Sequence, residues 1–133
     1  MEYIPQKVLI VDDSIMVRSE LRDILEDLGV PEINETDDGD KALQIISSAE
    51  PSYDLVLLDW NLPKFSGLDV LIACRKKMNL ADLPIVMVTA ERDKQEVVRA
   101  LSEGASGYIV KPFTRNGVLT RIEAAMQKFK EVG

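Results

Sequence analysis

At 133 residues the chain is the size of one ordinary domain and can bury a core without disulfides or a structural metal. Its 46% hydrophobic and 29% charged residues describe a globular protein with no run near the roughly 18 apolar residues of a membrane span. Met1-Glu2-Tyr3-Ile4-Pro5 has no signal-peptide pattern, so a cytoplasmic location is expected. A net charge of -7 argues against phosphate-backbone binding, and the absence of histidine removes imidazole-metal sites, His-based acid/base catalysis and a phosphohistidine on this chain.

Lys7 to Val11 reads as a first buried strand, followed at once by Asp12-Asp13-Ser14. A helix is expected from about Ser14 to Leu28, where Val17, Leu21, Ile24, Leu25 and Leu28 form one stripe and Gly29 and Pro31 stop it. Glu32 to Thr36 is a weaker strand whose only apolar residue, Ile33, suggests a sheet edge. Asp38-Gly39-Asp40 turns into a second helix near Lys41 to Ala49, with Ala42, Leu43, Ile45 and Ile46 buried.

The centre of the chain is Tyr53 to Gly67. Leu55 to Leu58 is an uninterrupted apolar run, as expected for a strand covered on both faces, and Asp59 ends it. Pro63 and Gly67 make a loop before the next helix, so Asp59 is presented at an open strand end and not spent on a cap. The third helix is expected from Leu68 to Met78, with Leu68, Leu71, Ile72 and Cys74 inward and Arg75-Lys76-Lys77 complementing the helix dipole. Cys74, the lone cysteine, reads as a buried reduced thiol. Pro84 to Thr89 is the fourth strand, Asp93 to Glu103 a helix stopped by Gly104, and Gly107 to Val110 a short edge strand. A last helix runs from Arg115 to about Lys130, with Val118, Ile122, Ala125, Met126 and Phe129 on one face.

Strands alternating with helices require right-handed crossovers, which gives an α/β fold: a doubly wound, five-stranded parallel sheet with helices on both faces. The flavodoxin-like order 2-1-3-4-5 puts the two weakest strands at the edges and the carboxyl ends of strands 1 and 3 at the topological switch point.

The polar residues that end these apolar strands all stand at their carboxyl ends: Asp12 and Asp13, Asp59, Thr89 and Lys111. Singly each has a plain structural explanation, as a cap, a turn or a solvated charge. Together they are costly, because unit charges ~4 Å apart repel by ~4 kcal/mol at an effective dielectric of about 20, against a domain stability of ~5 to 15 kcal/mol. A divalent cation resolves this, and an all-oxygen donor set points to Mg²⁺ or Mn²⁺ over zinc. A carboxylate beside such an ion is a competent nucleophile towards phosphorus, with Lys111 and the Thr89 hydroxyl placed to neutralise the transferring group. No Gly-x-x-x-x-Gly-Lys loop is present, so the phosphoryl donor must already be activated.

These stretches resemble the receiver domain of two-component response regulators. The likeness runs from Val8-Leu9-Ile10-Val11-Asp12-Asp13-Ser14 through Leu57-Leu58-Asp59-Trp60-Asn61-Leu62-Pro63 and Val88-Thr89-Ala90-Glu91 to Gly104-Ala105-Ser106-Gly107-Tyr108-Ile109-Val110-Lys111-Pro112-Phe113. The resemblance implies that Asp59 is the phosphoacceptor. It implies that Asp13 and Asp59 ligate Mg²⁺, that Asp12 acts mainly through water, and that the backbone carbonyl of Asn61 completes the set. Thr89 and Lys111 would bind the phosphoryl group, and Lys111-Pro112 would be a cis peptide. Thr89 and Tyr108 would form a switch in which the hydroxyl moves towards the phosphoryl group and the ring turns into the vacated space. A plain amphipathic edge ring is the alternative for Tyr108. Asn61 and Glu91 would set the phosphoryl lifetime.

Residues 1–133 are accordingly expected to form a single receiver domain, monomeric and without an effector domain, that catalyses its own phosphorylation and dephosphorylation without being an enzyme in the ordinary sense. Its partners would be a histidine kinase and then a protein target such as a flagellar motor switch protein or a phosphatase, with no nucleic acid or membrane involved. The alternatives are a shuttle passing phosphoryl groups to a histidine phosphotransfer protein, a degenerate receiver acting as a scaffold, and a small phosphatase of the haloacid dehalogenase type. In that last class the second acidic pair follows the lysine, whereas here Asp12-Asp13 comes first.

Overall fold

The computed structural model describes residues 4–132, with side chains placed through Gln127. In chain order the elements are β1 (Lys7–Val11), α1 (Ile15–Leu28), β2 (Glu32–Thr36), α2 (Gly39–Ser48), β3 (Leu55–Leu58), α3 (Gly67–Ile72), a π-helical turn (Ala73–Lys77), β4 (Ile85–Thr89), α4 (Lys94–Ser102), β5 (Gly107–Val110) and α5 (Arg115–Val132). All pairings are parallel and the order is β2-β1-β3-β4-β5, as expected from the weak strands at the edges.

The central strands bury both faces, and the period-two alternation of a strand divides their side chains between two cores. Leu9, Val11, Val56, Leu58, Ile85 and Met87 face α2, α3 and α4, meeting Ala42, Ile46, Leu71 and Ala100. Val8, Ile10, Leu55, Leu57, Val86 and Val88 face α1 and α5, meeting Leu21, Leu25, Val118 and Ile122. Each fully buried Leu or Ile side chain contributes about 1.5–3 kcal/mol. Two-sided burial is why strands 1, 3 and 4 read as unbroken apolar runs.

The helix stripes are those expected from the spacing, with Val17, Leu28, Leu43, Ile45 and Ile72 only partly buried at the margins. Phe129 lies outside the described side chains. The starts of α1 and α4 shift by one residue because caps take the expected first positions. The Ser14 hydroxyl accepts from the Val17 N–H at the head of α1, and Asp93 does the same for Gln95 at α4. Asp38 accepts from Lys41 N–H, so α2 begins at Gly39 and not at Lys41. Gly29 caps α1 at φ +101°, a left-handed position that glycine adopts without strain.

The third helix departs from expectation. Past Ile72 it widens into a π-helical turn, the Met78 N–H bonding to the Ala73 carbonyl five residues back. Arg75 lies within this turn. Its guanidinium turns inward and donates to the carbonyls of Leu80 and Gly104, joining the end of this helix to the α4–β5 turn. Of the three basic residues expected to complement the helix dipole, only Lys76 and Lys77 are exposed. Cys74 is buried, and burial pushes its thiol up to about 11, keeping it protonated.

Candidate functional site

Sheet register assembles the site. Val11 pairs with Leu58, so the next residues of the two strands, Asp12 and Asp59, leave the sheet side by side. Thr89 pairs with Val110, which places Lys111 just beyond the Thr89 hydroxyl on the same rim. Asp59 N–H donates to the Val11 carbonyl at 2.9 Å and Asp12 N–H to the Thr36 carbonyl at 3.1 Å, so the ladder extends one step into the loops and fixes both backbones.

One carboxylate oxygen each of Asp12, Asp13 and Asp59 lie within 4.8 Å of one another. Asp12 and Asp59 are 1% and 4% exposed, whereas Asp13 faces solvent. Ser14 has taken the cap of α1, which leaves the Asp13 carboxylate free of structural duty. The ammonium of Lys111 donates to Asp12 Oδ2 at 2.8 Å and to Asp59 Oδ2 at 3.3 Å, so Lys111 is not the solvated loop charge of the plain alternative. Lys111-Pro112 is cis, as the resemblance implies; Glu50-Pro51 is also cis, without a sequence signal.

Three carboxylates and one ammonium leave a net negative pocket, and the titration behaviour follows. Burial pushes Asp12 up, and the charge of Asp59 adds to this, outweighing the hydrogen bonds from Lys111 and Ser14. Burial pulls Lys111 down, but the hydrogen bond to Asp12 and the charges of Asp59 and Asp12 outweigh it and hold the ammonium firmly protonated. The donor set fits a hard divalent cation. Oxygens around one Mg²⁺ stand about 3–4 Å apart at ligand distances near 2.1 Å, so carboxylates within 4.8 Å need only a small inward adjustment.

Thr89 is fully buried, and its hydroxyl oxygen accepts from the Glu91 N–H at 3.2 Å. That contact is the turn its plain reading anticipates, yet it occupies only a lone pair and leaves the hydroxyl hydrogen available to an incoming anion. Tyr108 is 8% exposed, packs into the core beside α4, and donates its hydroxyl to the Glu91 carbonyl at 2.8 Å. Burial, then the charges of Glu91, Glu96 and Asp59, push its phenol up to about 12. The ring is thus turned inward from the edge strand β5. Asn61 is exposed beside Asp59, donating its backbone N–H to Asp59 Oδ1 at 3.3 Å, and Glu91 is half-buried across the pocket mouth.

Sequence reading missed several supporting residues, because their partners are distant along the chain. Arg18 donates to the Asp12 carbonyl at 2.6 Å and to Glu35 Oε1 at 3.0 Å, while Arg22 donates to Glu35 Oε2 at 2.5 Å. Burial pushes the Glu35 carboxyl up, but the hydrogen bonds from Arg22 and Arg18 outweigh this and hold it below its ordinary 4.5. A depressed carboxyl stabilises the fold above its unfolded pKa, and that stability is lost as pH falls through the lowered folded value. Glu35→Gln should therefore cost about 1 kcal/mol in urea unfolding at pH 7, after allowance for its partial exposure. The gap should close below the ordinary carboxylate range; one that stays constant with pH would show that charge is not involved.

The chain has relatives among known proteins. The sequence profile of the response regulator receiver domain matches residues 8–123. The chain is 38% identical over 122 residues to the chemotaxis protein CheY of Pseudomonas aeruginosa, covering 92% of this chain and 97% of that protein. It superposes with a TM-score of 0.80 on Vibrio cholerae chemotaxis protein CheY4, at 32% identity over 90% of this chain and 97% of that one. A CheY-like receiver domain protein from Methanospirillum hungatei gives a TM-score of 0.85 at 26% identity, covering 96% and 98%.

Proposed function

The chain belongs to the response regulator receiver family, the switches of two-component signalling, and from that premise we propose that Asp59 accepts a phosphoryl group from a phosphohistidine or acetyl phosphate. The observation that carries this reading is the trio of carboxylate oxygens within 4.8 Å, bridged on one side by the Lys111 ammonium. Asp12, Asp13, Asp59 and the Asn61 carbonyl would hold Mg²⁺, which supplies charge neutralisation to the transferring group when bound.

In the transfer, an Asp59 carboxylate oxygen forms the new bond to phosphorus as the bond to the donor's imidazole nitrogen or acetate oxygen breaks, the leaving group taking the electron pair. Lys111 loosens its contact with Asp59 and offers the same ammonium to a phosphoryl oxygen, while Asp12 keeps it oriented. Thr89 donates its free hydroxyl hydrogen to another. Drawing Thr89 towards the site pulls on Glu91 and so on Tyr108, whose hydroxyl is tied to the Glu91 carbonyl. This biases the face of α4, β5 and α5, where Val98 and Leu101 stand 56% and 48% exposed, towards a protein target. Likeness to chemotaxis proteins supports a target in flagellar motor control. Among the described residues no helix is long and apolar enough to cross a membrane.

Incubation with acetyl phosphate tests the reading. Intact mass should gain one phosphoryl group with Mg²⁺ and none with EDTA; an adduct that ignores EDTA would refute the metal-assisted mechanism. Asn61 is exposed beside the nearly buried Asp59, where a hydrolytic water would approach, so Asn61→Arg should slow dephosphorylation roughly tenfold, equivalent to about 1.4 kcal/mol. Unchanged decay after rapid removal of the donor would put the water elsewhere.

A further inference from the structure

The β4–α4 loop is clasped at two consecutive residues by the strand and turn beside it. The Tyr108 hydroxyl donates to the Glu91 carbonyl at 2.8 Å, and the Arg92 guanidinium donates to the Lys111 carbonyl at 2.8 Å. Lys111 returns the connection, its own N–H donating to the Thr89 carbonyl at 2.8 Å. Both backbone polar groups of Lys111 are thus committed to residues 89–92. Arg92 spends this contact on a carbonyl, although acidic residues, Glu91 and Asp93, flank it on either side.

We infer that Arg92 is a positioning residue for Lys111, tying the backbone of the phosphoryl-binding lysine to the loop that leaves Thr89 so that both side chains meet the phosphoryl group as one unit. The inference rests on the aspartyl-phosphate reading above. A lysine ammonium sits at the end of a flexible four-carbon stem, so its placement is only as definite as the backbone beneath it and the acceptors beyond it. The acceptors, Asp12 and Asp59, fix the tip in the resting protein. During transfer the contact with Asp59 loosens, and the backbone anchor then carries more of the positioning. A charged donor to a carbonyl is stronger than a neutral one, yet Arg92 is exposed and its contribution to global stability is small. Local placement and overall stability therefore separate.

The test compares Arg92→Ala and Arg92→Lys with the unaltered protein. Mg²⁺ alone, and Mg²⁺ with beryllofluoride as a phosphoryl mimic, are titrated against Trp60 fluorescence. Arg92→Ala should bind Mg²⁺ with an affinity within about twofold of the parent, because Asp12, Asp13 and Asp59 are untouched, while half-saturation by beryllofluoride rises about five- to tenfold, the loss of one hydrogen bond. Arg92→Lys, which keeps a charged donor, should recover most of that affinity. Unchanged beryllofluoride binding in Arg92→Ala would overturn the inference. So would a loss of Mg²⁺ affinity in parallel, since that marks general loosening of the site. A parent protein that binds Mg²⁺ but no beryllofluoride would instead overturn the phosphoryl reading on which the inference stands.

Discussion

Asp59→Asn should abolish phosphoryl incorporation and, with no divalent cation present, should make the protein more resistant to urea. The first effect follows from chemistry: an amide is not a nucleophile towards phosphorus, and neither Asp12 nor Asp13 extends β3 into the pocket. The second follows from charge. Asp59 is almost fully buried, with one oxygen within 4.8 Å of an oxygen of each of two other carboxylates, and shares the Lys111 ammonium as a counter-charge. At an effective dielectric of about 20 each such repulsion is about 3 kcal/mol, partly cancelled by Lys111, so neutralisation should stabilise the metal-free protein by about 1–2 kcal/mol. Mg²⁺ should then stabilise the parent strongly and the variant little. A metal-free variant less stable than its parent would mean that Lys111 already balances the pocket.

Gly67→Ala has the largest structural effect. A Cβ at this position would stand 1.9 Å from the Asp59 carbonyl oxygen, 2.7 Å from its carbonyl carbon and 2.8 Å from Trp60 Cα. All three are backbone atoms and none can rotate away. The close approach is fixed by the Gly67 N–H bonding the Trp60 carbonyl at 2.8 Å, which draws the loop after β3 back over the head of α3. Overpacking of this kind costs about 3 kcal/mol or more. Relief of the clash by withdrawing residues 59–61 would move the segment that carries the proposed acceptor carboxylate and the Asn61 carbonyl. Gly67→Ala should therefore lower the urea midpoint and weaken Mg²⁺ binding more than tenfold in the fraction that folds. Parent-like Mg²⁺ affinity in folded variant would show that the loop can re-form without the contact.

Much of this was legible beforehand, for physical reasons. A strand covered on both faces must be apolar throughout, so the carboxylates at 12 and 59 stood out as interruptions, and the weak strands announced themselves as edges. The placement of Asp12, Asp13, Asp59, Thr89 and Lys111 on one rim needed only that alternation and a right-handed crossover. Features that depend on partners far along the chain were hidden. The π-helical turn carries Arg75, which reaches the Gly104 carbonyl 29 residues away, and in sequence Arg75 looks like any charge at a helix end. Arg18 and Arg22 show the same limit: their spacing places them on one face of α1, but only the fold brings Glu35 and the Asp12 carbonyl beneath them. Gly67 reads as loop punctuation until the Asp59 carbonyl is seen against it. The inward Tyr108 ring likewise depends on a carbonyl 17 residues earlier.

In the proposed mechanism a phosphoryl group is carried on the Asp59 carboxylate itself. Borohydride reduces an aspartyl-phosphate to homoserine and leaves ordinary carboxylates untouched. The most direct measurement is therefore peptide mapping of the protein after acetyl phosphate, Mg²⁺ and borohydride. Homoserine is expected at position 59 and at no other aspartate, vanishing when EDTA replaces Mg²⁺. Homoserine at Asp12 or Asp13, or a phosphoryl adduct that borohydride does not convert at any aspartate, would contradict it.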